Sequence, residues 1–144
     1  MTQIRQLLAQ KGHCLWKIEA SASIYEAAHE MNRHRIGALV VENNGQVVGI
    51  FTERDAAFRV LAIGLDADTT PVSEVMTHNP ITLTEDRPFG HALHLMYENG
   101  VRHVPIVDAN RRPLGVLTAR DALQLDAIAF GAELVRREEL TVIL

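Results

Sequence analysis

Cysteine is nearly absent. Cys14 is the only one in 144 residues, so no disulfide can close within the chain and a disulfide scaffold is excluded. Basic charge is not in excess: 14 Lys and Arg stand against 18 Asp and Glu, for a net charge of −4. That argues against a nucleic-acid surface, which needs a basic stripe. No apolar run approaches the roughly 18 residues of a membrane span. The opening Met1-Thr2-Gln3-Ile4-Arg5-Gln6 lacks a signal-peptide pattern. These absences predict a cytoplasmic protein with neither membrane nor nucleic acid as partner. No convincing Ser-His-Asp set, carboxylate pair or glycine-rich phosphate loop occurs, which argues against an enzyme.

What is present is a repeat. Gly49-Ile50-Phe51-Thr52-Glu53-Arg54-Asp55 returns as Gly115-Val116-Leu117-Thr118-Ala119-Arg120-Asp121, an offset of 115 − 49 = 66 residues. The apolar pair ends a strand and Thr begins a helix. Thr-x-x-Asp is a capping box, whose plain function is to satisfy free backbone N–H groups. Capping does not require the Arg before each Asp; an anion site at a helix start does. Hydrophobic content of 47% is ample for one compact domain, or for two half-domains sharing a core.

The remaining segments fall into the same order twice. Ile4, Leu7, Leu8 and Lys11 have helical spacing, and Gly12 stops that short arm. Leu15 to Ile18 reads as extended. Ser23 caps a helix whose buried stripe is Ile24, Ala27, Ala28 and Met31, and Arg33, His34 and Arg35 close it. Asn44-Gly45 signals a hairpin between two apolar strands. Thr52 opens the next helix, with Ala56, Ala57, Val60 and Leu61. Thr70-Pro71 begins a short helical turn reaching Met76. In the second half, Ile81-Thr82-Leu83 matches Trp16-Lys17-Ile18. Asp86 caps a helix with Pro88 in its first turn and a stripe of Phe89, Ala92, Leu93 and Met96. Val104 to Val107 matches Ala38 to Val41 at an offset of 66, which places a one-residue slip between helix and strand. Each half reads strand, helix, strand, strand, helix. Neither buries a full core alone, so two halves packed sheet to sheet about a local twofold axis are expected.

This repeat resembles a tandem CBS-domain pair, or Bateman module. The resemblance rests on residues 35–41, 48–55, 75–77, 79–82, 100–108 and 114–121, and covers about residues 13 to 130. It implies an α+β (α/β) fold of two CBS repeats packed with pseudo-twofold symmetry. The divisions are an arm at 1–12, repeat 1 at 13–66, repeat 2 at 67–130 and a tail at 131–144. It also implies a regulatory sensor, not an enzyme, holding AMP, ADP, ATP, an NAD-type dinucleotide or S-adenosylmethionine in clefts between the repeats. In that pattern Asp55 and Asp121 accept from ribose hydroxyls, and Thr52 and Thr118 contact ribose or phosphate. Arg54 and Arg120 stand where phosphate would bind. Gly37 and Ala38 in one half, and His103, Val104 and Pro105 in the other, hold adenine, with Asn79, Pro80 and Ile81 at its edge. The chemistry is sound without the name. A diol is a fork of two donors matched by a carboxylate, and a helix N-terminus with an Arg suits phosphate. Ala119 stands where repeat 1 has Glu53, so the two clefts differ.

The chain is expected to act as a homodimer upon an unknown regulated protein. The alternative is a nucleotide-independent scaffold whose apolar end, 142–144, fills a cleft. Other signals take plain readings. His91-x-x-His94 lacks further ligands for a metal. Arg111-Arg112 is a solvated turn. Cys14 is a buried thiol. Trp16 packs and does not stack on a ligand.

Overall fold

A computed structural model describes residues 2–12, 15–125, 131–133 and 136. Cys14 and the apolar end 142–144 lie outside the described residues.

The first half contains β1 (Lys17–Glu19), α2 (Ile24–His34), β2 (Ala38–Asn43), β3 (Gln46–Thr52) and α3 (Glu53–Asp55), after the arm helix α1 (Ile4–Gln10). β1 runs parallel to β2, and β2 antiparallel to β3. Asn44 and Gly45 take φ of 54° and 77°, the left-handed pair that a tight two-residue hairpin demands. α3 continues as a π-helix over Ala56–Leu61. A 3-10 turn, Val72–Glu74, leads to β4 (Thr77–His78), which adds to the free edge of β3. The second half has α4 (Phe89–Asn99), β5 (His103–Val107), β6 (Pro113–Thr118) and α5 (119–125).

Four sequence expectations need correction. Ile81-Thr82-Leu83 is not a strand; only Leu83 bridges, in parallel, to Ile106. Asp86 does not cap α4. Pro88 is the N-cap, and Asp86 instead accepts the Thr84 hydroxyl two residues back, a local bond that competes with capping. Ala28 faces solvent, not the core. The offset between β2 and β5 is 65, not 66, because Ala38 pairs Thr52 as His103 pairs Thr118. The additional residue lies in the hairpin turn, where residues 108–112 stand for 43–46.

Each half's core is closed by the segment that precedes the other half. Ile4, Leu7 and Leu8 of α1 are buried with Leu83, Phe89, Met96 and Leu117 of the second half. Val72, Val75 and Met76 are buried with Ile24, Met31, Leu39 and Phe51 of the first. Both triplets have the same i, i+3, i+4 spacing, so one helical face seals each sheet. Backbone bonds fix the exchange: Ile4 N donates to Arg87 O at 3.0 Å, and Val72 N to Ala22 O at 2.7 Å. The two sheets meet through Val40, Val47 and Val107, with Val116 beside them. The 108–112 turn is a clasp between halves, not merely a solvated loop. Val47 N donates to Arg111 O at 2.9 Å, and Arg111 Nη2 donates to Val47 O at 3.3 Å.

Candidate functional site

Both seven-residue motifs form the local structure their residues demand. Thr52 N donates to Asp55 Oδ2 at 2.9 Å, and Asp55 N returns to Thr52 Oγ1 at 3.2 Å. Thr118 N donates to Asp121 Oδ2 at 2.8 Å, and Asp121 N to Thr118 Oγ1 at 3.2 Å. These are two complete capping boxes, so the plain function of the motif is realised in each repeat. Capping employs only Oδ2. The acids are nevertheless buried, 7% exposed at Asp55 and 8% at Asp121. Burying a carboxylate is costly unless it meets partners. Each has a cation nearby: Arg59 Nε lies 3.5 Å from Asp55 Oδ1, and Lys11 Nζ 3.0 Å from Asp121 Oδ2.

The other motif residues diverge. Arg120 lines a hollow of about 480 Å³ together with Gly37, Glu53, Arg35 and Ile36, so repeat 2 supplies a cation to a concavity of repeat 1. Arg54 is not among that lining; its guanidinium carbon lies 5.6 Å from the Phe58 ring centroid. A Cβ at Gly37 would stand 3.2 Å from Glu53 Oε1 and 3.7 Å from His103 Nε2. The close contact is with Glu53 of the same half, while His103 of the other half would meet that Cβ at an ordinary van der Waals distance. Burial pushes the His103 imidazole below its ordinary pKa, while Glu53 pulls it up. Its neutral form is the favoured one here.

The residues expected to hold adenine divide by burial. Val104 and Pro105 are core residues, leaving only their backbone for a ligand; Pro105 O already accepts from Leu83 N at 3.2 Å. Ala38 is buried and Gly37 half-buried, with Gly37 O accepting from Glu53 N at 3.0 Å. Pro80 and Ile81 are half-buried. Asn79 is exposed at φ 45°, and its N–H donates to Val48 O at 3.1 Å. Trp16 stacks on His34 with centroids 3.6 Å apart and rings 16° from parallel, in keeping with a packing role. Among the described residues no His, Cys, Asp and Glu group fit for a metal occurs, and His94 pairs with Glu98 at 3.1 Å.

Four residues of this region escaped sequence reasoning. Glu53 drew notice only as a difference between the motifs, and Arg35 only as a helix end. Arg59 had a local signal, since a cation four residues after a motif acid is a recognisable helix pair, whereas Lys11, 110 residues from Asp121, had none.

Comparison with known proteins gives the family and the fold. The family model described as CBS domain matches residues 15–62 and 72–127. An uncharacterised 17.7 kDa protein of Acidianus ambivalens is 37% identical over 135 residues, covering 90% of this chain and 79% of that protein. An uncharacterised protein of Methanopyrus kandleri is 36% identical over 102 residues, and the chain spans only 52% of its length. A crystal structure of a CBS domain superposes with a TM-score of 0.80 at 31% identity, covering 88% of this chain and 98% of that one. A CBS domain protein of Pyrobaculum aerophilum complexed with AMP gives 0.76 at 29% identity, covering 89% and 99%. A CBS domain pair in complex with 5′-methylthioadenosine and S-adenosyl-L-methionine gives 0.73 at 31%, covering 86% and 98%.

Proposed function

The chain belongs to the CBS-domain family, and from that premise we propose that it is a regulatory module that binds an adenine nucleotide between its repeats and performs no catalysis. One observation carries the reading. Each motif acid is buried, yet the cap occupies only one of its two oxygens. Among the described residues the other accepts no hydrogen bond, which leaves it able to accept from a ribose hydroxyl, and the AMP complex of the Pyrobaculum relative supports that ligand class. The ligand is AMP, ADP, ATP or an NAD-type dinucleotide, with an S-adenosyl compound as the competing class. Arg120, lining the hollow with Gly37, is its phosphate partner. Binding favours one arrangement of the two repeats, which a homodimer in the cytoplasm presents to a regulated protein.

A thermal-shift panel of AMP, ADP, ATP, NAD, NADH and S-adenosylmethionine identifies the ligand, since a true one raises the melting temperature with concentration. Calorimetry then tests the site. Losing a charge-assisted bond costs about 1.5–3 kcal/mol, so Asp55→Ala and Asp121→Ala each weaken their cleft by roughly ten- to a hundredfold. Parent-like binding in both variants overturns the assignment.

A further inference from the structure

The two motif acids share a backbone setting and differ in the origin of their cation. At Asp55 the cation is Arg59, four residues along the same helix, whose Nη1 also donates to Val75 O at 3.3 Å and Met76 O at 3.2 Å. Moving 66 residues on from Arg59 gives Leu125, which can serve no acid. The second repeat obtains its cation from the N-terminal arm instead. Lys11 Nζ donates to Asp121 Oδ2 at 3.0 Å and to Val116 O at 2.7 Å, across 110 residues of sequence. Its backbone is held in place, because Lys11 N donates to Leu7 O at the end of α1, and α1 is seated in the repeat-2 core.

Counting acceptor sites shows why the difference matters. A carboxylate oxygen offers two lone-pair directions. Asp121 Oδ2 already receives Thr118 N–H and the Lys11 ammonium, so both of its directions are taken. Among the described residues, Asp55 Oδ2 receives only Thr52 N–H. Arg59 Nε, at 3.5 Å from Oδ1, is beyond a good hydrogen bond. A vicinal diol that spans a carboxylate needs one open direction on each oxygen. Asp55 has both. Asp121 has them only when Lys11 lets go.

Resting on the nucleotide-binding reading above, we propose that Lys11 ranks the two clefts. A ribose diol occupies the Asp55 cleft first. It occupies the Asp121 cleft only by displacing the Lys11 ammonium, so filling of the second cleft is reported to the N-terminal arm. Lys11 is thus a selectivity residue for one cleft and the link from that cleft to α1.

The test is calorimetric titration of the full chain with adenosine and, separately, with AMP. The parent shows two classes of site. Lys11→Met keeps the aliphatic stem and removes the ammonium; it tightens the weaker class about tenfold for both probes, while the tighter class stays put. Lys11→Gln, which can still donate one bond, falls between. Asp55→Ala removes the tighter class, and Lys11→Met added to it shows the tenfold gain alone. A Lys11→Met isotherm identical to the parent's overturns the ranking and leaves a merely structural ion pair. Weaker AMP binding with unchanged adenosine binding also overturns it, since Lys11 then grips phosphate. Loss of the tighter class in Asp121→Ala overturns it as well. Absence of heat from the parent with every adenosine ligand is a different failure, and sinks the nucleotide-binding reading together with the ranking.

Discussion

Gly115 lies against Leu8: a Cβ there would stand 2.7 Å from Leu8 Cδ2. Gly49 has the same relation to Met76, whose Sδ lies closer still to the corresponding position. The glycine that opens each motif is therefore a packing residue. It makes room for the apolar side chain that arrives from the segment preceding the other repeat.

Gly115→Ala and Gly49→Ala are each expected to destabilise the chain by about 1–3 kcal/mol through overpacking. Shortening the facing side chain identifies the cause. Urea unfolding of Gly115→Ala with Leu8→Ala, and of Gly49→Ala with Met76→Ala, should show losses smaller than the sum of the single changes. Full additivity would mean that the glycines serve another purpose.

Arg35 closes α2 in the left-handed region at φ 52°, where the equivalent residue of α4 is Gly100 at φ 62°. A side chain there is strained by about 1–2 kcal/mol, and glycine loses part of that gain to chain entropy. Arg35→Gly should raise stability by about 0.5–1 kcal/mol. Arg35 also lines the hollow shared with Arg120. If strain is tolerated for the sake of an anion, AMP affinity falls in the same variant whose melting temperature rises. Unchanged affinity would separate Arg35 from the ligand.

Glu42 is 7% exposed on β2. Its Oε1 meets Lys17 Nζ at 3.2 Å, but its Oε2 is buried with no partner among the described residues. An unsatisfied buried acceptor costs about 1–3 kcal/mol. Lys17 is half exposed, so removing the acid leaves it solvated. Glu42→Val keeps a good strand former and should stabilise the chain by about 1 kcal/mol in urea titration. A lower midpoint would show that the Lys17 pair outweighs the orphaned oxygen.

His103 gives the fold a pH dependence. Burial depresses its pKa from 6.5, aided by Arg102 and Lys11 and opposed by Glu53 and Asp121. The unfolded chain then binds the proton more readily than the folded one. Stability contributed by the neutral ring is present above the unfolded value and is lost as pH falls through and below it. Urea midpoints should drop as pH falls below about 6.5, before most carboxylates titrate. His103→Gln should flatten that slope. An equal slope in the variant would place the titration elsewhere.

Features that act over a few residues were legible in the chain alone. Thr52 with Asp55, and Thr118 with Asp121, form capping boxes because their partners sit three positions apart. Asn44-Gly45 makes the hairpin because both must adopt positive φ. Recurrence at one offset made the repeat legible, and with it the family. It did not locate the slipped residue, since strand register is settled by pairing and not by motif spacing. Long-range packing alone makes α1 complete the second repeat's core, brings Arg120 to a hollow shared with Gly37, and lets Lys11 reach Asp121. Those contacts join residues tens to more than a hundred positions apart. Burial of apolar faces drives them, and it constrains which surfaces meet without marking any particular lysine in the chain.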